Sequence, residues 1–326
     1  MKKDDLRIVF MGTPEFAVET LKALVENHYH VVAVVTQPDK PVGRHGSLLQ
    51  PSAVKQFALE HQLPVLQPEK MKDPVFVEQL RSYGANLQVV VAFRMLPEVV
   101  WAMPAYGTFN VHAALLPQYR GAAPINWAVI NGETQTGVTT FFLDHDIDTG
   151  RIIMQTPFDI PDTADVEYVY DGLMHLGADI CLKTLDAIVA ADGHPESTPQ
   201  DSSRFQLSAS QLKPAPKLFK ENCQISWLQT AKQVYDFVRG LSPCPGAWTT
   251  LVAPDGKETV LKIYRTTKTD KPAGKPGALQ ADKHRLYVSA SDMLLQIDEL
   301  QLAGKKRMEA SAFLNGMKEI ENFSLR

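Results

Sequence analysis

Apolar and polar positions follow two different rhythms along the chain, and the rhythm changes near residue 191. Before that point, short apolar runs take turns with longer segments of helical spacing. The runs "LRIVFMG" (6–12), "VVAVVTQ" (31–37), "LPVLQ" (63–67), "LQVVVAF" (87–93) and "GTFNVH" (107–112) have the length and the Val, Ile, Leu and Phe content of buried strands. In "PEFAVETLKALVENH" (14–28), Phe16, Leu21, Leu24 and Val25 fall on a helical stripe, and "PSAVKQFALEHQ" (51–62) carries Pro51 and Ser52 at a helix start. "PVFVEQLRSYG" (74–84) and "PEVVWAMP" (97–104) continue the alternation. "TGVTTFFLD" (136–144) and "GRIIMQTPFDI" (150–160) then precede a long helical stretch over 165–190. Near-continuous apolar strands separated by helices predict an α/β architecture. We expect a Rossmann-like, mostly parallel sheet with helices on both faces over residues 1–193.

The second rhythm follows a stretch without periodicity. Residues 191–217 are rich in Pro, Ser, Asp and Gln, and a linker is expected at 194–213. Beyond it come one helical segment, "WLQTAKQVYDFVRGL" (227–241), and the short strand runs "AWTTLV", "TVLKIYR", "RLYVSA" and "MLLQIDEL". They are separated by turn signals such as Pro254-Asp255-Gly256 and Lys275-Pro276-Gly277. That pattern predicts a small OB-like β-barrel over 214–326. The sequence holds no internal repeat.

Composition adds three facts. The 44% hydrophobic and 21% charged content is that of a globular protein, and no apolar run reaches the roughly 18–20 residues a membrane span requires. Cys181, Cys223 and Cys244 are too few and too far apart for a disulfide framework or a Cys-x-x-Cys pair, so a reducing cytoplasm is the expected compartment. The net charge of −4 conceals a split. Residues 1–210 hold 15 Lys and Arg against 25 Asp and Glu, and residues 211–326 hold 18 against 12. A basic tail on an acidic body suggests a polyanionic partner, with chance and solvated lysines as the alternative.

Two motifs fail on inspection. "VFMGTPEF" follows the first strand, where a dinucleotide fold carries three glycines, but Gly12 stands alone there. "DHDIDTG" imitates a calcium loop, yet its sixth position is Thr149 and its twelfth is Gln155, where glycine and glutamate are required. Neither a nicotinamide enzyme nor a metal site is expected.

The chemistry concentrates in "FNVHAALLPQYRGAAP" (109–124). On a strand, Asn110 and His112 project to one face, and a strand's carboxyl end is where open α/β sheets bind ligands. Asp148 lies on another strand-to-loop segment within reach from the side. An amide donor, an imidazole and a carboxylate suit acyl transfer through an oxyanion. Read alone, each residue has an ordinary alternative: a loop cap for Asn110, a core histidine for His112, a turn residue for Asp148. Arg120, ahead of Gly121, reads equally as a loop arginine in solvent.

The longer segment 109–152 resembles the signature of the folate-dependent formyltransferase family. It carries Asn-x-His, Leu-Leu-Pro, Arg-Gly-Ala-Ala-Pro-Ile and Asp-Thr-Gly in order. "IVFMGTPEFAV", "VVTQPDKPVGR" (34–44), "LSPCPGAW" (241–248) and "GKKRM" (304–308) are similar to the branch of that family acting on methionyl-tRNA, and the similarity spans the chain. The resemblance implies 10-formyltetrahydrofolate as formyl donor and the amino group of methionyl initiator tRNA as acceptor, in a monomer. By position it implies Asn110, His112 and Asp148 as the catalytic trio and Ala114, Leu115, Leu116 and Pro117 at the folate, with the pterin against 91–97 and 144–148. Lys40, Arg44, Lys305, Lys306 and Arg307 become the phosphate-contacting candidates. Some positions depart from the family pattern: Ala114 where serine is common, Arg151 after Asp-Thr-Gly, the lysine-poor "GRHGSLLQ" (43–50), and Cys244 where tryptophan is frequent. The alternatives are a formyltransferase for a 4-amino-sugar nucleotide and a tRNA-binding module with a lapsed site.

Overall fold

A computed structural model of the chain describes residues 1–42, 48–200, 209–317 and 319–326. They divide into two compact units. The first comprises Met1–Gly121, Gln135–Asp159 and Tyr170–Pro214; the second comprises Ala122–Thr134, Ile160–Val169 and Ala215–Arg326.

In the first unit the apolar runs become strands β1 (Arg7–Gly12), β2 (His30–Val35), β3 (Lys40–Val42), β4 (Leu48–Gln50), β5 (Val65–Leu66), β6 (Leu87–Val91), β7 (Thr108–His112), β8 (Gln135–Phe142) and β9 (Ile152–Asp159). Seven of them form one sheet in the order β5-β2-β1-β6-β7-β8-β9. From β5 to β7 every pairing is parallel, and β8 and β9 add an antiparallel hairpin at one edge. The order runs outward from β1 to β5 and resumes with β6 on β1's other side. The sheet therefore has its switch point between β1 and β6, the place where such sheets open a crevice.

Burial follows the pattern the sequence predicts. β6 is buried at all five positions and β2 at all but its first, as strands covered on both faces must be. Val9, Met11, Val35, Phe76, Leu80, Val90 and Val100 form the core beside them. Helices α1 (Glu15–Glu26), α2 (Ala53–Glu60), α3 (Pro74–Ser82) and α4 (Glu98–Trp101) fill the connections. Ser52 accepts the Lys55 amide at the start of α2, and Asp73 accepts that of Val75 at the start of α3. A Cβ on Gly12 would lie 2.6 Å from the Ala17 Cβ and 3.0 Å from the Val91 carbonyl. This lone glycine thus serves close helix-to-sheet packing.

The second unit holds α5 (Pro124–Ile130), the first turn of α6 (Val166–Ala190), α7 (Ala231–Gly240) and α8 (Ala310–Asn315). Its strands are β10 (Ala247–Val252), β11 (Glu258–Pro272), β12 (Leu279–Ala281), β13 (Leu286–Ser289), β14 (Met293–Leu302), β15 (Met308–Glu309) and β16 (Ser324–Leu325). The antiparallel order β12-β13-β14-β11-β10-β16 curls back on itself, because Ala278, just before β12, bridges to Ser324 in β16. The result is a nearly closed barrel around Val234, Val238, Leu261, Ile263, Val288, Leu295, Ile297 and Leu300. β11 is longer than the sequence suggests, and three irregularities in its register against β14 let it bend around the barrel. α7 packs on this core and begins at Thr230, whose hydroxyl and Gln233 form a capping box.

The same unit draws in residues remote in sequence. Asn126 Nδ2 donates to the Gly240 carbonyl (2.9 Å), Trp127 Nε1 to Pro216 (2.8 Å) and the Tyr235 hydroxyl to Asp162 (2.8 Å). Arg239 Nη1 donates to the Ala164 carbonyl (2.8 Å), and its Nε binds buried Asp236 at 2.8 Å. Among the described residues no helix is long and apolar enough to cross a membrane.

Candidate active site

The site forms where β7 ends. Asn110 pairs with Phe141 and His112 with Thr139 across the β7–β8 ladder, so both side chains stand on one face near the carboxyl end. Beyond His112 the chain turns sharply, and one hydroxyl holds the turn. Thr139 Oγ1 donates to the Ala114 carbonyl (2.6 Å) and accepts from the Leu116 amide (3.1 Å) and from Gln155 Nε2 (2.9 Å). Its single donor and both lone pairs are thereby used. The Leu116–Pro117 peptide is cis. Ala114 and Leu116 are 0% and 2% exposed, Pro117 is buried and Leu115 half-buried. Three of the four residues implied at the folate thus have their side chains inside the protein.

His112 is fixed at one ring nitrogen and faces a carboxylate with the other. Tyr119, in the left-handed region at φ +58°, aims its carbonyl at Nε2 from 2.9 Å. A carbonyl can only accept, so Nε2 carries a proton and Nδ1 is the nitrogen left to face the site. Nδ1 faces Asp148 Oδ2 at 3.9 Å. The same carboxylate oxygen accepts the Gly121 amide at 2.8 Å. Asn110 Oδ1 is buried and has no hydrogen-bond partner among the described residues. An amide oxygen that has left water and gained nothing costs roughly 1–3 kcal/mol, an expense native structures tolerate mainly where a ligand or water completes the bond.

Asp148 reaches this position by an unusual backbone. It stands at φ +55°, a left-handed conformation rare outside glycine. Two residues on, a Cβ at Gly150 would lie 1.6 Å from the Phe142 carbonyl, so only glycine lets the loop return beneath β8. Asp144 Oδ1 accepts from Thr149 Oγ1 (2.7 Å) and from the Asp146 amide (3.2 Å), which ties the loop internally.

Arg120, read from sequence as a possible solvent arginine, is half-buried instead. Burial pushes its guanidinium down from its ordinary value, and the nearby Asp148 and Asp144 carboxylates oppose that shift. It donates to Gln200 Oε1 from Nη2 (2.9 Å) and Nε (3.3 Å). Sequence reasoning found neither Gln200 nor the Tyr119 carbonyl. A lone glutamine in a Pro- and Ser-rich stretch carries no signal, and no side-chain pattern announces a carbonyl.

The remaining candidates lie elsewhere. Lys40 is exposed at the start of the β3–β4 hairpin, beside Asp39, which Lys55 (2.7 Å) and Gln67 (2.8 Å) hold in place. Arg44 lies outside the described residues. Lys305 and Lys306 are exposed in the turn from β14 to β15 and, among the described residues, have no carboxylate partner. Arg307 differs. Its Nε and Nη2 grip Glu299 at 2.5 and 2.8 Å, and its guanidinium lies 4.2 Å from the centre of the Tyr264 ring.

Known proteins share this architecture. The formyl transferase family model matches residues 6–185, and the model for the formyl transferase C-terminal domain matches 217–318. The methionyl-tRNA formyltransferase of Parabacteroides distasonis is 59% identical over 328 residues, covering 100% of both chains. That of Porphyromonas gingivalis (strain ATCC 33277) is 47% identical over 97% of each. Two solved structures share the fold at lower identity. HypX from Aquifex aeolicus, in complex with tetrahydrofolic acid, has a TM-score of 0.61 and 19% identity over 95% of this chain and 47% of that one. The sugar 3N-formyl transferase WlaRD has a TM-score of 0.62 and 17% identity over 92% and 99%. The chain belongs to the formyl transferase family, and its full-length relatives include proteins named methionyl-tRNA formyltransferase.

Proposed function

We propose that this chain transfers the formyl group of 10-formyltetrahydrofolate to the amino group of methionyl initiator tRNA. The observation that carries the reading is Asn110 and His112 on one strand end with the Asp148 carboxylate 3.9 Å from His112 Nδ1, in a chain alike over its whole length to proteins of that name. The methionyl amine attacks the formyl carbon, forming a C–N bond and placing negative charge on the formyl oxygen. The Asn110 amide and an Nδ1 proton of His112 donate to that oxygen. A separation of 3.9 Å is too long for a hydrogen bond between His112 and Asp148, so the N–H of the attacking amine can reach the carboxylate while Nδ1 donates to the formyl oxygen. Asp148, directly or through a water, takes the proton that the attacking nitrogen sheds. The bond from carbon to N10 of the folate then breaks, its electron pair stays on N10, and N10 takes up the proton that Asp148 received from the amine, which returns the carboxylate to its starting state.

The turn over 114–117 and the 91–97 and 144–148 segments are the proposed cradle of the pterin. Ala92, at φ +47°, is exposed just past β6. Lys40, Arg44, Lys305, Lys306 and Arg307 are the proposed phosphate contacts, and they supply affinity without sequence choice.

The test is a transfer assay with 10-formyltetrahydrofolate, offering charged initiator methionyl-tRNA in one series and a 4-amino-sugar nucleotide in another. Formyl-methionyl-tRNA as the sole product is the expected outcome. Transfer to the sugar alone, or folate binding with no transfer to either acceptor, would reject the reading.

A further inference from the structure

Asp148 is held in a backbone conformation that few non-glycine residues adopt, and something must hold it there. Its carboxylate is anchored by the Gly121 amide, but that bond restrains the side chain only. The main chain is restrained by Gln200. Gln200 Nε2 donates to the Asp148 carbonyl at 3.0 Å and to the Gly150 carbonyl at 2.7 Å, bracketing the strained turn. The other end of the same amide, Oε1, accepts from the Arg120 guanidinium. A reversed amide would set its oxygen against two carbonyls and its NH2 against a cation, so these partners fix the orientation.

The bonds close a ring. From Gln200 it runs to the Asp148 carbonyl, through Asp148 to its carboxylate, across to the Gly121 amide, along one peptide bond to Arg120, and back through the guanidinium to Gln200. The glutamine reaches the ring from a fixed anchor. Thr198 and Ile152 exchange both backbone bonds at 2.7 Å, and Ser197 takes the Arg151 guanidinium on its hydroxyl and its carbonyl. Gln200 also falls between the two stretches that match family models, 6–185 and 217–318.

We infer that Gln200 is a positioning residue that keeps the Asp148 carboxylate facing His112 by pinning the 148–150 backbone and Arg120 in one hydrogen-bonded ring. The inference rests on the reading of Asp148 as a proton-accepting group given above. Gln200 does not touch the reacting atoms in this scheme; it acts through Asp148.

The test uses the full chain and two variants. Gln200→Met keeps the length of the side chain and removes its polar atoms. Gln200→Glu keeps an oxygen for Arg120 but removes both donors to the turn. Each lowers kcat by about tenfold or more, leaves KM for folate and tRNA within about twofold, and leaves the melting temperature close to that of the parent, as loss of orientation at a reacting group does. A double variant with Asp148→Ala supplies the decisive reading. If Gln200 works through Asp148, adding Gln200→Met to Asp148→Ala changes turnover by no more than about twofold. Wild-type kcat in Gln200→Met, a fall in KM terms alone, or a full additional loss on the Asp148→Ala background would each overturn the inference. Asp148→Ala with undiminished turnover would instead reject the parent reading of Asp148, and this inference with it.

Discussion

At the scale of single residues, the site is a contest between strain and partnership. Asn110 gives up a solvated oxygen, Asp148 and Tyr119 give up their preferred backbone, and each stands within reach of His112 or on its face of the strand. Such costs persist where surrounding structure over-determines them. Alanine at Asn110, His112 or Asp148 therefore lowers turnover by about tenfold to a thousandfold while thermal unfolding stays close to that of the parent. Single-turnover formyl transfer together with a melting curve checks this, and near-parental turnover in any variant rejects that residue's role. The two-residue spacing of Asn110 and His112 was legible in the sequence because strand periodicity alone places them on one face. The proximity of Asp148 was legible only as a reach from a neighbouring loop. The Tyr119 carbonyl and Gln200 were not legible, since backbone acceptors and long-range amides leave no periodic trace.

At the scale of elements, apolar periodicity foretold most strands and helices, and caps set their ends. Helix α7 begins at the Thr230 cap and not at Trp227, where the helical pattern starts, because the capping box satisfies the free amides there. Within α7, Asp236 and Arg239 form a pair with side chains 6% and 8% exposed, and Lys232 joins it at 2.5 Å. Removing the carboxylate strands a buried guanidinium. Asp236→Ala accordingly destabilises the protein by about 3 kcal/mol, measurable by urea denaturation, and a loss under about 1 kcal/mol would contradict the claim. The turn between β14 and β15 divides its cations by a similar logic. Lys305→Ala with Lys306→Ala weakens tRNA binding and flattens its salt dependence by about one to two charges, without moving the melting temperature. Arg307→Ala weakens binding too, but also lowers stability by about 0.5–1 kcal/mol, because Glu299 loses its bidentate partner and Tyr264 its stacked cation. Nitrocellulose-filter binding across a salt series, alongside melting curves, separates the two effects. The arginine's dual engagement was invisible in "GKKRM", which reads as three equivalent charges.

At the scale of the whole molecule, the charge split between residues 1–210 and 211–326 and the change of rhythm near residue 191 suggest two consecutive modules. The compact units of the structure cut across that order. The chain passes between its two compact units five times, and residues 122–134 and 160–169 belong to the unit built mainly from the C-terminal third. Asn126, Trp127, Asp162 and Ala164 each make a hydrogen bond to a residue beyond 214. Periodicity marked no helix at α5, whose 7 residues are too few to show a stripe, and even a stripe does not name the core it joins. The interleaving bears on autonomy. A fragment ending at residue 193 would retain Asn110, His112 and Asp148 yet leave α5 and the 160–169 segment with severed partners. The full chain should therefore melt in a single calorimetric transition, and the 1–193 fragment should aggregate or melt well below it. Two separate transitions in the full chain would mean that the halves fold independently. The arrangement also constrains how such a protein can evolve: the barrel is no cassette to be exchanged alone, because Ile130 packs on its core and Asn126, Trp127, Asp162 and Ala164 are bonded to it.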